Sequence, residues 1–398
     1  MPAPQPRLSA ATATEYIGDT CFAPGAEALT GVEVEWILHD RGDPQRHLSL
    51  DEVTAAAGDP GAYAGRLSFE PGGQVEISSR PHKAAAAAAA ETAADMALLE
   101  ARAAAGGLVL SDAGRDPWRP PRRVLHVARY AAMERYFRGG GSHRPDAGPT
   151  MMCTTASVQV NLALGADTAE MARRWRNAAV LGPVLAAAFA NSPLGPDGPT
   201  GWKSSRLASW FAIDPTRTAP VAAVGDPAAA WAGYVLDARV MFVRRGDDDY
   251  VVVHEPLGFG DWIRDGHDLG YPTEDDLAYH LTTLFPPVRP RGWFELRMVD
   301  MPGRRWWPVP VLVADVLLDA DEPLERVAAV GAGSCWDAAA RHALGDPRLA
   351  AAAAICFDAA LERLGGADAD LVGEYADRFV CRGRTPADEA LDAAVAIA

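Results

Sequence analysis

Acidic side chains recur at alternate positions in several short apolar segments, the spacing that a carboxylate-lined site requires. In Val32-Glu33-Val34-Glu35-Trp36 the two glutamates fall on one face of an extended strand and Val34 on the other. Gln74-Val75-Glu76-Ile77 repeats the arrangement, as do Ser157-Val158-Gln159-Val160-Asn161 and Phe294-Glu295-Leu296-Arg297-Met298. An antiparallel sheet with one wet face produces the same alternation. A wet face, however, carries Lys and Thr among its acids, whereas these segments carry Glu33, Glu35, Glu76, Glu295, Gln159, Asn161 and a single Arg297. If the four faces converge, the glutamates repel one another unless cations sit between them. Oxygen-rich clusters of this kind suit Mg²⁺ or Mn²⁺ bound together with nucleotide phosphates.

Other chemistries lack their residues. There is no GxxxxGK[ST] phosphate loop, no GxGxxG after a strand, no HExxH and no GxSxG. The histidines are scattered. The five cysteines are far apart with no metal spacing, which fits a reducing compartment better than a disulfide framework. A metal-dependent enzyme would therefore work through carboxylate-held cations and arginines, which points to phosphoryl chemistry. The 398 residues are 49% hydrophobic, so a large core is available. A net charge of −16 argues against a nucleic-acid surface. No apolar run is long enough for a membrane span, and the N-terminal residues show no signal pattern, so the expected location is cytoplasmic.

The elements that must position these residues are legible in outline. Residues 1–30 read as a lead-in with a short helix, and 31–80 as a β-rich region. Residues 83–105, with seven consecutive alanines at 84–90, read as a helix ended by Gly106-Gly107. A short helix is expected at 128–137 between Pro-, Gly- and Arg-rich loops at 111–124 and 138–150, and another at 167–190. Residues 191–220 read as a long loop, and 234–243 and 249–255 as strands around a turn at 245–248. From 314 onward the pattern is helical, with breaks near Gly331, Gly345 and Gly365.

Read in order, GVEVEW (31–36), LSFEPGGQVEIS (67–78), ARYAAMERYF (128–137), MMCTTASVQVNLAL (151–164), FANSPLGPDGPTGWKSSRLASW (189–210) and YHLTTLFPPVRPRGWFELRMVD (279–300) resemble glutamate–cysteine ligase, in the branch that includes the plant enzymes. The resemblance is collinear over about residues 30–390. The alanine-rich sequence is similar to the bacterial form that supplies γ-glutamylcysteine to ergothioneine biosynthesis. The resemblance implies an α+β fold like that of glutamine synthetase: a curved antiparallel β-sheet funnel with helices packed outside. It implies a single catalytic ligase domain over 1–398, with 1–30 as lead-in and 314–398 as a helical C-terminal part. The implied reaction joins the γ-carboxylate of L-glutamate to L-cysteine at the expense of ATP, through a γ-glutamyl phosphate, with Mg²⁺ or Mn²⁺.

The resemblance also assigns residues. Glu33, Glu35, Glu76 and Glu295 fall on metal-ligand strands, with Glu70 and Gln159 as further ligands and Asn161 on the substrate side. Glu70, beside Pro71-Gly72-Gly73, also reads as an ordinary turn-flanking acid. Arg206 falls where the family holds the α-carboxylate of glutamate, a contact that suits a planar fork. Arg297 reaches ATP or the acyl phosphate, or forms a structural ion pair with a glutamate; with Arg206 it makes the catalytic pair. Lys203 and Gln159 join Arg297 as ATP contacts, and Arg217 is a weaker phosphate candidate. Met151, Met152 and Trp202 form a slot for the cysteine side chain, or are plain core. Arg129 and Tyr130 position a helix beside the pocket or touch substrate. Gly72, Gly73 and Gly201 serve backbone shape or close approach, and Cys153 is a buried, inert thiol. A related ligase with another amine acceptor, or a homologue that binds without turnover, would share the metal and ATP elements. The acceptor pocket discriminates between them. No nucleic-acid or membrane partner is implied.

Overall fold

The period-two segments form a six-stranded antiparallel sheet in the computed structural model, which describes residues 7–25, 27–140 and 144–397. Its strands are β1 (Thr30–Trp36), β2 (Arg66–Phe69), β3 (Val75–Ser78), β4 (Ser157–Ala163), β5 (Val288–Pro290) and β6 (Trp293–Asp300). They run in the spatial order β5-β6-β4-β1-β3-β2. The register aligns the polar positions: Glu33 faces Ser78 on one side and Gln159 on the other, Glu35 faces Glu76, and Asn161 faces Glu295. Because side chains alternate across a strand, this register gathers the carboxylates on one face.

The opposite face is core. Val32, Val34, Trp36, Val75, Ile77, Val158, Val160, Phe294, Leu296 and Met298 are all buried. Each large apolar side chain removed from water here contributes roughly 1.5–3 kcal/mol. Helix α1 (Ala10–Cys21) packs on the helix Pro227–Asp237, and against the apolar sheet face pack α2 (Ala85–Ala105), α5 (Thr168–Ala188) and α7 (Pro308–Leu317). The alanine run of α2 places Ala85, Ala88 and Ala89 against the sheet layer, followed by Met96, Leu99 and Ala103. Small side chains let this helix lie close to the strands, and its buried Asp95 accepts the backbone N–H groups of Ala64 and Gly65 at 2.9 and 2.8 Å. The polar face is covered instead by α3 (Ala128–Arg138), α4 (Ala147–Thr154) and α6 (Ser205–Ala212).

Several expectations are corrected. The region 191–220 is not one loop, because Ser204 caps α6 by accepting from Leu207 N–H and Asp214 caps a short turn, Pro215–Thr218. Residues 234–237 belong to a helix, Pro227–Asp237, started by Asp226 and Pro227, so the strands shrink to Phe242–Arg244 and Tyr250–Val252. Residues 147–150 open α4, and the β-rich region holds the helix Leu50–Ala57 behind a Ser49–Glu52 capping box. Sheet alternation survives such local signals, whereas short capped helices interrupt loops without periodic warning. The lead-in residues 1–6 and the glycine-rich 141–143 lie outside the described residues.

Candidate active site

The polar face of the sheet and helices α3, α4 and α6 enclose a cavity of about 470 Å³. Its floor carries Glu33, Glu35, Glu76, Gln159, Glu295 and Arg297 from β1, β3, β4 and β6. One end is lined by Arg66, Arg291 and Trp293, with Trp293 38% exposed at the mouth. The other holds Arg206, Trp210, Met133, Met151 and Met152.

Three carboxylates meet between these ends. Glu35, Glu70 and Glu76 each bring an oxygen within 4.8 Å of the others. Glu70 arrives through the β2–β3 turn, closed by Gly73 N–H donating to the Glu70 carbonyl at 2.8 Å. Two glycines make that turn possible. Gly73 sits at φ +86°, and a Cβ on Gly72 would lie 2.1 Å from the Cys153 carbonyl oxygen. Gln74 ties the hairpin to the end of α4, accepting from Gly72 N–H at 2.9 Å and donating to the Thr155 carbonyl at 2.9 Å. Ser157 donates to Glu35 at 2.9 Å and Ser68 to Glu76 at 2.8 Å.

Burial raises all three carboxyls, and their mutual charge raises Glu70 and Glu76 further. Glu33 is pushed up to about 7, first by burial and then by Glu295 and Glu76, although Asn161 Nδ2 donates to it at 3.0 Å. Stacking recessed carboxylates without a cation among them is costly, and an all-oxygen donor set of this kind fits Mg²⁺ or Mn²⁺.

Glu295 behaves differently from the metal-ligand expectation. Its oxygens take a bidentate pair from Arg289 at 2.6 and 3.0 Å and a further contact from Arg297 at 2.8 Å. These guanidinium groups hold its carboxyl well below the usual range despite complete burial. With both oxygens engaged by cations, Glu295 serves as an anchor for arginines in this arrangement. Arg297 also donates to Gln159 Oε1 at 2.6 Å, while its buried Nε has no hydrogen-bond partner among the described residues. Gln159 in turn donates to Glu35 at 3.4 Å, joining the arginine group to the carboxylates.

Arg206 enters from α6, 2% exposed, with Nη2 donating to the Arg297 carbonyl at 2.9 Å. Its Nε and Nη1 have no hydrogen-bond partner among the described residues. A buried guanidinium with two open donors is suited to a ligand carboxylate.

Met151 and Met152 line the cavity, as do Arg129 and Tyr130, whose phenol is pushed up to about 12 by burial and by Glu70. Arg129 is pinned to Thr282 through Oγ1 and the carbonyl, both at 2.9 Å. Asn161 stands at the rim, donating to Glu33 and accepting from Trp293 Nε1 at 3.0 Å. Three expected contacts are elsewhere. Trp202 stacks under Arg341 at 3.9 Å beside a separate cleft. Lys203 pairs with Asp388 at 2.6 Å. Arg217 is fully buried, holding Asp214 at 3.0 Å and the Thr283 carbonyl at 2.7 Å. Trp202 and Lys203 lie inside the 189–210 motif, just past the turn at Gly201, and Arg217 follows that motif. Cys153 is partly buried, and burial pushes its thiol up to about 12. Gln74, read on the polar face with Glu76, lines the cavity, and Arg289, Arg291, Arg66, Met133, Trp210 and Phe285 join it without having been foreseen. Of the unforeseen residues only Arg289 and Arg291 carried a signal, as an alternation in and just past the short strand Val288–Pro290.

The chain is similar to known proteins along nearly its whole length. The chain is 42% identical over 400 residues to glutamate–cysteine ligase EgtA of Mycolicibacterium smegmatis, covering 98% of this chain and 92% of that protein. It is 40% identical to the EgtA of Mycobacterium tuberculosis, over 96% and 90% of the two chains. A chloroplastic glutamate–cysteine ligase of Medicago truncatula is 32% identical over 66% of this chain and 52% of its own length. Among solved structures, a glutamate–cysteine ligase of Francisella tularensis in complex with AMP superposes with a TM-score of 0.56 at 12% identity, covering 93% of this chain and 85% of that one, a likeness of fold. The family description that matches residues 29–396 is glutamate–cysteine ligase family 2, and the chain belongs to that family.

Proposed function

We propose that this chain is a glutamate–cysteine ligase acting as one catalytic unit: it couples cleavage of ATP to joining the γ-carboxylate of L-glutamate to the amine of L-cysteine. The observation that carries this reading is the order of groups along the cavity. Strand register sets that order: Arg206, with open donors, lies beside Asp300 at the Ser157 end of β4, Glu35 opposite Glu76 and joined to Ser157 comes next, and Arg66 opposite Ser78 and Trp293 opposite Ala163 stand toward the other end. Glutamate held by its α-carboxylate on Arg206 places its γ-carboxylate toward the acidic group. ATP enters from the arginine-lined mouth, with its base near Trp293. A γ-carboxylate oxygen attacks the γ-phosphorus and ADP leaves, giving the acyl phosphate. The cysteine amine then attacks the acyl carbon, phosphate departs, and the amine loses a proton.

Mg²⁺ or Mn²⁺, held by Glu35, Glu70 and Glu76 with Glu33 and Gln159 alongside, would neutralise the transferring phosphoryl oxygens. Arg297 presents its open Nε to the same region and is kept extended by Gln159 and Glu295. Met133, Met151 and Met152 offer the cysteine side chain a polarizable wall. Similarity to the EgtA proteins supports a place supplying γ-glutamylcysteine for ergothioneine, and five free cysteines accord with work in the cytoplasm. The test is phosphate release with ATP, glutamate and each proteinogenic amino acid in turn, with mass analysis of the product. Release with cysteine and formation of γ-glutamylcysteine is the expected result; a different acceptor would overturn the cysteine assignment.

A further inference from the structure

The guanidinium of Arg206 is buried and only partly satisfied, so something must make its charge tolerable there. Among the described residues, the one carboxylate within ion-pair reach is Asp300, 1% exposed, with Oδ1 3.8 Å from Nη1. That separation lends charge but is too long for a hydrogen bond.

Three donors account for the gap. Asp300 Oδ2 accepts the backbone N–H of Asn191 at 3.0 Å and the Ser192 hydroxyl at 2.7 Å, and Oδ1 accepts the Ser204 hydroxyl at 2.9 Å. The same hydroxyls fix the segment that carries Arg206. Ser192 Oγ accepts Arg206 N–H at 3.0 Å, and Ser204 caps α6. Behind the carboxylate the chain leaves no slack, because a Cβ on Gly114 would lie 2.8 Å from that of Asp300.

We infer that Asp300 is a positioning residue for the glutamate site. It supplies the nearest counter-charge for Arg206, with Glu35 acting from farther off, while its three donors restrain it from closing on the guanidinium, which leaves Nε and Nη1 open for the substrate. Were Asp300 free to form a direct pair, it would compete with the α-carboxylate for those N–H groups. This rests on Arg206 as the holder of that carboxylate.

The experiment compares glutamate with γ-aminobutyrate, which is glutamate without its α-carboxylate. In the full-length protein, Asp300→Asn removes the counter-charge and Ser192→Ala releases a restraint on Asp300; the second variant carries the test if the first does not fold. Each should raise the KM for glutamate about tenfold, with the KM for ATP and the inhibition constant of γ-aminobutyrate unchanged. A purely structural role would weaken glutamate and γ-aminobutyrate by the same factor, and that result, or an unchanged glutamate KM, would overturn the inference. Arg206→Lys run alongside separates the two claims. A raised glutamate KM there, with none in the Asp300 and Ser192 variants, removes Asp300 alone. No change in any of the three variants removes Arg206 and Asp300 together.

Discussion

Glu35 and Glu76 stand directly opposite each other on the neighbouring antiparallel strands β1 and β3. Like charges in that relation oppose pairing of the strands, by up to about 1 kcal/mol, and burial raises both carboxyls. The sheet thus holds a repulsion that a cation would remove. Glu76→Gln should accordingly melt higher than the parent protein in chelator, and Mg²⁺ should raise the parent's melting temperature more than the variant's. Thermal melts with EDTA and with MgCl₂ check both signs. An equal Mg²⁺ response in the two proteins would remove Glu76 from the cation site.

The Arg289–Glu295 pair makes a different prediction, because here the charge is already compensated. Arg289→Met leaves a fully buried Glu295 with weaker partners and should cost about 3–5 kcal/mol in urea unfolding. The double variant Arg289→Met/Glu295→Met should recover most of that stability, since an apolar pair of similar volume needs no compensation. Turnover should not recover, because Arg297 loses the carboxylate that extends it.

His280 tests the core behind the cavity. Its Nε2–H donates to the Val235 carbonyl at 3.0 Å, its ring stacks on Phe259 at 4.7 Å, and burial together with Arg217 holds it down to about 3. An unfolded imidazole titrates near 6.5. Between those values the unfolded chain binds a proton that the folded chain refuses, so stability falls as the pH falls below 6.5. By pH 5 the loss from this group is about 2 kcal/mol. His280→Asn should be less stable at pH 7.5 yet lose less between pH 7.5 and 5, measured as the shift in urea midpoint. Equal losses in the two proteins would place the imidazole in contact with water.

The carboxylate face could be read from the chain because a strand leaves no choice. Once Glu33 and Glu35 alternate with buried Val32, Val34 and Trp36, their side is settled by the core behind them. Arg297 and Gln159 followed by the same rule. The arginine of α6 was reachable only through family resemblance, since an eight-residue helix carries too few turns to announce a face. Its neighbours Trp202 and Lys203 carry no periodic signal either: they follow a turn at Gly201, φ +81°, with Trp202 beside a separate cleft and Lys203 on Asp388. Asp300 and Arg289 were invisible as partners because their importance lies in long-range pairings with Ser192, Ser204 and Glu295. A β-bulge between Leu296 and Val299 further breaks the alternation before Asp300.

The two motif glycines Gly72 and Gly201 should fail in different ways. At Gly201 the positive φ strains any side chain, but no atom lies within 4 Å of an added Cβ, so Gly201→Ala should cost only about 1 kcal/mol. At Gly72 the added carbon would meet the backbone carbonyl of Cys153 at 2.1 Å, and no rotamer change relieves a main-chain contact. The β2–β3 turn must then lift away from α4, which breaks the Gln74 tie and carries Glu70 out of reach of Glu35 and Glu76. Gly72→Ala should therefore lose the Mg²⁺-induced rise in melting temperature even where the chain still folds, while Gly201→Ala keeps it. Melts in EDTA and MgCl₂ on both variants decide the point. A normal Mg²⁺ response in Gly72→Ala would mean that Glu70 is not needed to hold the cation.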